Sequence, residues 1–187
     1  MNKQLFSIVS VVLLSVSSVA AKDTTDWKRV GNWDVAIDHT LGNGCFMVGS
    51  YEGGTHLRIG VDRRENSAYL MFGNEEWRSL EAGKEYPIEI HFGNRSSWDA
   101  DARVLQFPDG SKVLSTYVDA EFIETFMRQT SMSVHYRGRQ IDSLKLPGTF
   151  AAFIEVMECQ DEVDQYLNKN GSDPFVGNVS SQTDPFL

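Results

Sequence analysis

Apolar and polar residues alternate over much of the first two-thirds of the chain. Trp33, Val35 and Ile37 alternate with Asp34, Ala36 and Asp38, the period of a strand with one buried face. A glycine-bearing turn follows, and then an apolar run from Cys45 to Tyr51 that includes Phe46, Met47 and Val48. Past Glu52, Gly53 and Gly54, the residues Leu57, Ile59 and Val61 alternate with His56, Arg58 and Gly60, and a charged turn leads into 67–72. This pattern predicts an antiparallel meander. Pro87 opens a further strand with Ile88, Ile90 and Phe92 on one face and Glu89 and His91 on the other; proline is tolerated at a strand start, where a missing donor costs least. Segments 104–107 and 112–118 flank Pro108, Asp109 and Gly110, which favour a hairpin turn. About seven short strands are expected in this part of the chain.

The rhythm changes at Asp119, a good N-cap residue, after which Phe122, Ile123, Phe126 and Met127 recur at helical spacing up to about Gln129. Met132, Val134 and Tyr136 return to period two, and the chain comes back past Gly138 through Leu144 and Leu146 as a hairpin. Pro147 and Gly148 end it, Thr149 is a candidate cap, and 150–163 reads as a second helix. A helical wheel puts Phe150, Phe153, Ile154 and Met157 on one face, Ala152, Val156 and Cys159 beside it, and Glu155 and Glu158 outside. From Asp164 the periodicity stops and polar residues dominate. The fold expected is mainly β, a β-sandwich or barrel-like antiparallel sheet with two short helices near the C-terminus. It forms a single domain over 27–163, followed by a flexible tail over 164–187. The tail repeats Asp173-Pro174-Phe175 as Asp184-Pro185-Phe186; the repeat reads either as a tethered docking motif or as drift in a polar segment.

Residues 1–21 change the picture by giving an address. Lys3 precedes an apolar run from Leu5 to Leu14, and Ser18-Val19-Ala20 or Val19-Ala20-Ala21 offers a small-x-small cleavage site. This is the pattern of a secretory signal peptide, with an apolar core too short to span a membrane. The mature chain is expected to be periplasmic or secreted, with no transmembrane segment after cleavage. Its two cysteines, Cys45 and Cys159, then meet oxidising conditions and each has one intramolecular partner, so a disulfide bond is expected rather than two buried thiols. The bond would close a loop of about 115 residues, worth on the order of 4–5 kcal/mol in the loop-entropy picture. No C-x-x-C pair points to thiol redox chemistry.

Charge narrows the partners. The formal net charge is −9, and one unit more negative once Lys3 leaves with the leader. So acidic a protein is a poor match for nucleic acid or anionic lipid, which bind through Lys and Arg, and it permits a cationic partner. The four histidines form no metal-binding spacing, no metal or other cofactor is implied, and Ser50 lacks the flanking glycines of a nucleophile elbow. Glu89 and His91 share a face, and His135 projects beside Ser133 and Arg137, so a polar cluster would form if those strands were neighbours. Asp99 and Asp101, on one strand face roughly 7 Å apart, could serve a glycosidase. Trp77 and Trp98 sit in turn-like contexts, Trp77 beside Arg78, with the composition of binding hot spots; tryptophans closing the ends of a barrel explain them as well.

Segment 121–160 has a short helix, a hairpin, Ser143-Leu144-Lys145-Leu146, Gly148, the pair Ala151 and Ala152, and a closing Cys159. In these features, and in Trp33-Asp34-Val35, the chain resembles the invasion-associated locus B family and related small periplasmic proteins of alphaproteobacteria. It differs from that family's pattern in having no cysteine directly after the early tryptophan strand and only two in all. The resemblance implies a β-rich, secreted binding or envelope-associated protein and supplies no catalytic residues. The expected function is therefore non-catalytic binding, most naturally of another protein. The alternatives are an inhibitor or immunity protein for a cationic hydrolase such as a lysozyme, and a hydrolase assembled from scattered carboxylates and histidines.

Overall fold

The computed structural model describes residues 23–93 and 96–170. The expected signal peptide, all but the first seven residues of the expected tail, and both Asp-Pro-Phe triplets lie outside the described residues. Ten strands form one antiparallel sheet: β1 (Thr24–Val30), β2 (Trp33–Asp38), β3 (Gly44–Ser50), β4 (Thr55–Asp62), β5 (Ser67–Asn74), β6 (Glu85–Phe92), β7 (Ser96–Gln106), β8 (Lys112–Val118), β9 (Ser131–Tyr136) and β10 (Arg139–Lys145). Two helices, α1 (Ala120–Arg128) and α2 (Thr149–Asn170), complete it. The sheet order is β1-β2-β3-β4-β5-β8-β7-β6-β9-β10. A meander thus joins a second set of strands through the β5–β8 pair, and the fold is mainly β with two helices, as its pattern predicts.

The inward residues of β2 to β10 and of both helices meet in one buried cluster that includes Trp33, Met47, Ile59, Phe72, Ile90, Val104, Leu114, Val134 and Leu144. Alternation assigns these residues to one side of every strand, so sheet register and core composition are the same decision. Phe92 links the sheet to α1, with ring centroids 5.4 Å from Phe122 and 6.5 Å from Phe126. The Asp119 side chain accepts from Phe122 N at 2.8 Å and caps α1 as the sequence suggests. Thr149 does not cap α2. It is the first residue of that helix, and its hydroxyl reaches the carbonyls of Leu146 and Met127, tying the start of α2 to the end of α1.

α2 lies against β1, β2 and β3 and is joined to β3 by a disulfide bond between Cys45 and Cys159, with Cα atoms 6.1 Å apart. Its orientation corrects the helical wheel. Ala152, Phe153, Val156 and Cys159 are buried, whereas Phe150, Ile154 and Met157 face outward. Glu155 turns inward instead, where its carboxylate accepts from Trp27 Nε1 at 2.9 Å and Lys28 Nζ at 2.6 Å. The helix also runs on to Asn170, so 164–170 is not tail: Val163 is packed on the core, and Asp164 pairs with Arg63 at 2.8 Å.

The outer face of the meander has its own smaller cluster, Ala36, Phe46 and Tyr69. Arg58 is laid across it, its guanidinium 3.5 Å from the Phe46 ring centroid, donating to Tyr69 Oη at 2.6 Å and Asp38 Oδ2 at 2.5 Å. Gly60 makes room for this arrangement, since a Cβ there would come within 2.4 Å of Phe46 Cβ.

Candidate functional site

β5 ends at Asn74, and that side chain organises the surface around it. Asn74 Oδ1 accepts from Glu76 N at 2.8 Å, while its amide donates to Gly53 O at 2.8 Å and Thr55 Oγ1 at 2.9 Å. One residue therefore pins the β3–β4 turn to the loop that follows β5. Across the groove, Asp109 Oδ1 accepts from Ser111 N at 2.9 Å and Ser111 Oγ at 2.7 Å, fixing the β7–β8 turn. Lys112 Nζ donates to Leu80 O at 2.6 Å and closes the far end of the loop. Between these elements lies an open cleft of about 690 Å³, lined by His56, Gly73, Asn74, Glu75, Trp77, Arg78 and residues 109–113.

Trp77 is half-buried in this cleft, its ring edge-on to Phe72 at 6.0 Å. It also lines a second, apolar cavity of about 200 Å³ with Leu80, Tyr86, Ile88, Leu114, Tyr136 and Ile141. The indole thus lines both the cleft and this neighbouring cavity. Asn74, Asp109 and Lys112 spend their polar groups on holding the loops. Arg78 is exposed and makes no side-chain hydrogen bond or ion pair to a described residue, so its five donors are available to a ligand. His56 Nδ1 faces Ser50 Oγ at 2.9 Å, which leaves Nε2 free of that contact. Chemically, the cleft offers an aromatic wall and a planar cation at its mouth, a pair suited to an aromatic or aliphatic side chain together with a carboxylate or carbonyl.

Trp98 has a different position from the one its turn-like context suggests. It lies within β7, on the side shared with Ala100 and Ala102, and packs edge-on against Phe92 at 5.6 Å and Phe122 at 5.5 Å. Strand alternation turns it inward, and it lines neither the Trp77–Arg78 cleft nor the cavity beside it.

The strands that would bring Glu89, His91 and His135 together are neighbours in the sheet. β6 pairs with β7 and β9, placing Glu89 opposite Asp99 and His135, and His91 opposite Ser97 and Ser133. The rings of His91 and His135 stack with centroids 4.3 Å apart; His91 Nε2 lies 3.1 Å from Glu89 Oε2, and His135 Nε2 3.0 Å from Ser133 Oγ. Asp101 stands on the same face opposite Pro87. None of these side chains lines the three clefts. Among the described residues no group of three or more His, Cys, Asp or Glu side chains is arranged to hold a metal ion. A third cleft of about 340 Å³ lies between α2 and the β1–β2 pair, lined by Trp27, Ile37, His39, Asn43, Glu162, Val163, Tyr166 and Leu167.

No family model matches the chain, and no curated protein does. Among solved structures, the crystal structure of invasion associated protein B from Bartonella henselae is similar in fold. The TM-score is 0.54 at 10% sequence identity, covering 72% of this chain and 97% of that one.

Proposed function

We propose that this chain is an exported, non-catalytic binding protein of the cell envelope that receives part of another protein in the Trp77–Arg78 cleft. The observation carrying this reading is the pairing of a fixed aromatic wall with an uncommitted guanidinium in a 690 Å³ cleft where Asn74, Asp109 and Lys112 are engaged in holding the loops. Clefts of this size, mostly apolar with a few convergent polar groups, are where ligands are usually taken. Trp and Arg are also the residue types that dominate binding energy at protein interfaces. The leader pattern of residues 1–21 and the disulfide bond support export, and the fold shared with invasion associated protein B supports an envelope setting.

The formal charge of −9 favours a second, narrower reading, in which the partner is a cationic hydrolase such as a lysozyme and the chain blocks it. One experiment addresses both. The purified mature chain is immobilised and exposed to envelope extract at low and high salt, beside an Arg78→Glu variant. A partner retained by the wild type and lost by the variant supports the binding reading; identical capture by both contradicts it. The inhibitor reading further requires that the partner be a hydrolase whose activity falls on addition of the chain at low salt. Undiminished activity there eliminates it.

A further inference from the structure

α2 carries apolar residues on two opposite sides, and only one side is covered. Ala152, Phe153, Val156 and Cys159 pack inward, while Phe150, Ile154 and Met157 are 58%, 42% and 49% exposed. Their i, i+4, i+7 spacing makes one straight outward stripe about 10 Å long. Single exposed apolar residues are ordinary, but three in consecutive turns on one helix face form a contiguous patch of the kind that marks an interaction surface. The charges around the stripe are polarised. Beyond Met157 stand Glu158 and Asp161, both exposed. Before Phe150 stand Lys145, exposed at the end of β10, and Arg128 in the last turn of α1, whose side chain is 75% exposed and lies 3.8 Å from the Glu124 carboxylate, next to the residue whose carbonyl meets Thr149.

We infer that the outer face of α2 is a self-association surface, on which a second copy packs with its own α2 antiparallel about a two-fold axis near Ile154. Under that symmetry Phe150 of each copy meets Met157 of the other, and the Lys145–Arg128 end of each meets the Glu158–Asp161 end of the other. An isologous interface must be complementary to itself, and an apolar centre with opposite charges at its two ends meets that condition. A parallel arrangement would set acid against acid. An anionic membrane surface fits poorly, because Glu158 and Asp161 would face its headgroups. A uniformly basic partner helix would leave the Lys145–Arg128 end opposed by like charge. A single helix face is small for an interface, so the dimer should be weak and depend on concentration.

Sedimentation equilibrium of the mature, oxidised chain tests this. The wild type should move from monomer to dimer mass as concentration rises, and Ile154→Asp should weaken the dimer at least about tenfold. Because Ile154 lies on the outward side of α2, that variant should lower the melting temperature by no more than a few degrees, which separates loss of association from loss of fold. Asp161→Lys and Lys145→Glu should each weaken the dimer, and the double variant should regain much of it. A wild type that stays monomeric throughout overturns the inference, as does association unaffected by Ile154→Asp. Binding to zwitterionic or anionic vesicles that Ile154→Asp abolishes, from a chain that remains monomeric, would assign the stripe to membrane and overturn it too.

Discussion

At the scale of single residues, the most consequential arrangement is Arg58 laid over Phe46 and Tyr69 and paired with Asp38. Both charged side chains are largely covered, at 17% and 8% exposure, so each depends on the other. Removing the cation leaves a covered carboxylate without its partner, and Arg58→Ala should cost about 3 kcal/mol or more, read as a lowered urea midpoint. Burial alone would raise the Asp38 pKa; hydrogen bonds from Thr40 and Arg58, with the guanidinium charge, overcome it and hold the carboxyl below its usual range. A depressed folded pKa means stability that is present above the unfolded value of about 4 and is lost as pH falls through the folded value. The wild type should therefore lose stability steeply below about pH 4, and Asp38→Asn, less stable at neutral pH, should show a flatter fall there; equal slopes would contradict the assignment. Glu155 is held low chiefly by the hydrogen bond from Lys28 and then by that from Trp27. None of these partnerships is visible in sequence, because Arg58 and Asp38 are 20 residues apart and Glu155 and Lys28 are 127 apart.

At the scale of elements, period-two alternation identified β2, β4, β6 and β9, because each has one face on the common core. β1 escaped that reading. It lies at the sheet edge, its register shifts between Asp26 and Lys28, and only Trp27 and Val30 pack on the core, so no alternation survives. The N-terminal part of β7 escaped because its inward residues include Ala100 and Ala102 among serines and aspartates, and the same weakness made Trp98 look like a turn residue. α2 was recognised but rotated. With apolar residues on both sides, amphipathicity no longer selects the buried side, and only the packing against β1 to β3 decides it. Two neighbouring truncations test the orientation: Phe153→Ala should cost about 3–5 kcal/mol, while Ile154→Ala should cost under about 1 kcal/mol. Comparable losses in thermal melts of the two would show that the helix is turned as the wheel had it.

At the scale of the whole molecule, the Cys45–Cys159 bond joins β3 to α2 across a sequence separation of 114 and locks the late helix onto the early strands. Cys45→Ser with Cys159→Ser should lower stability by up to about 4–5 kcal/mol, read in denaturant melts of the double variant against the oxidised wild type. The candidate site is legible in sequence only at its centre. Trp77 and Arg78 stand out by composition, but the walls that make them a cleft, His56 and residues 109–113, come from turns that only the folded sheet brings alongside. Above all, a partner is proposed to engage this cleft. Site-specific photo-crosslinking in intact cells tests it directly, with the probe at position 75, which lines the cleft and leaves Trp77 and Arg78 in place, and, as a control, at position 101 on the outer sheet face. Position 75 should give a discrete crosslinked species that Trp77→Ala abolishes, and position 101 should not give it. No crosslink at 75, or the same species from both positions, would contradict this reading.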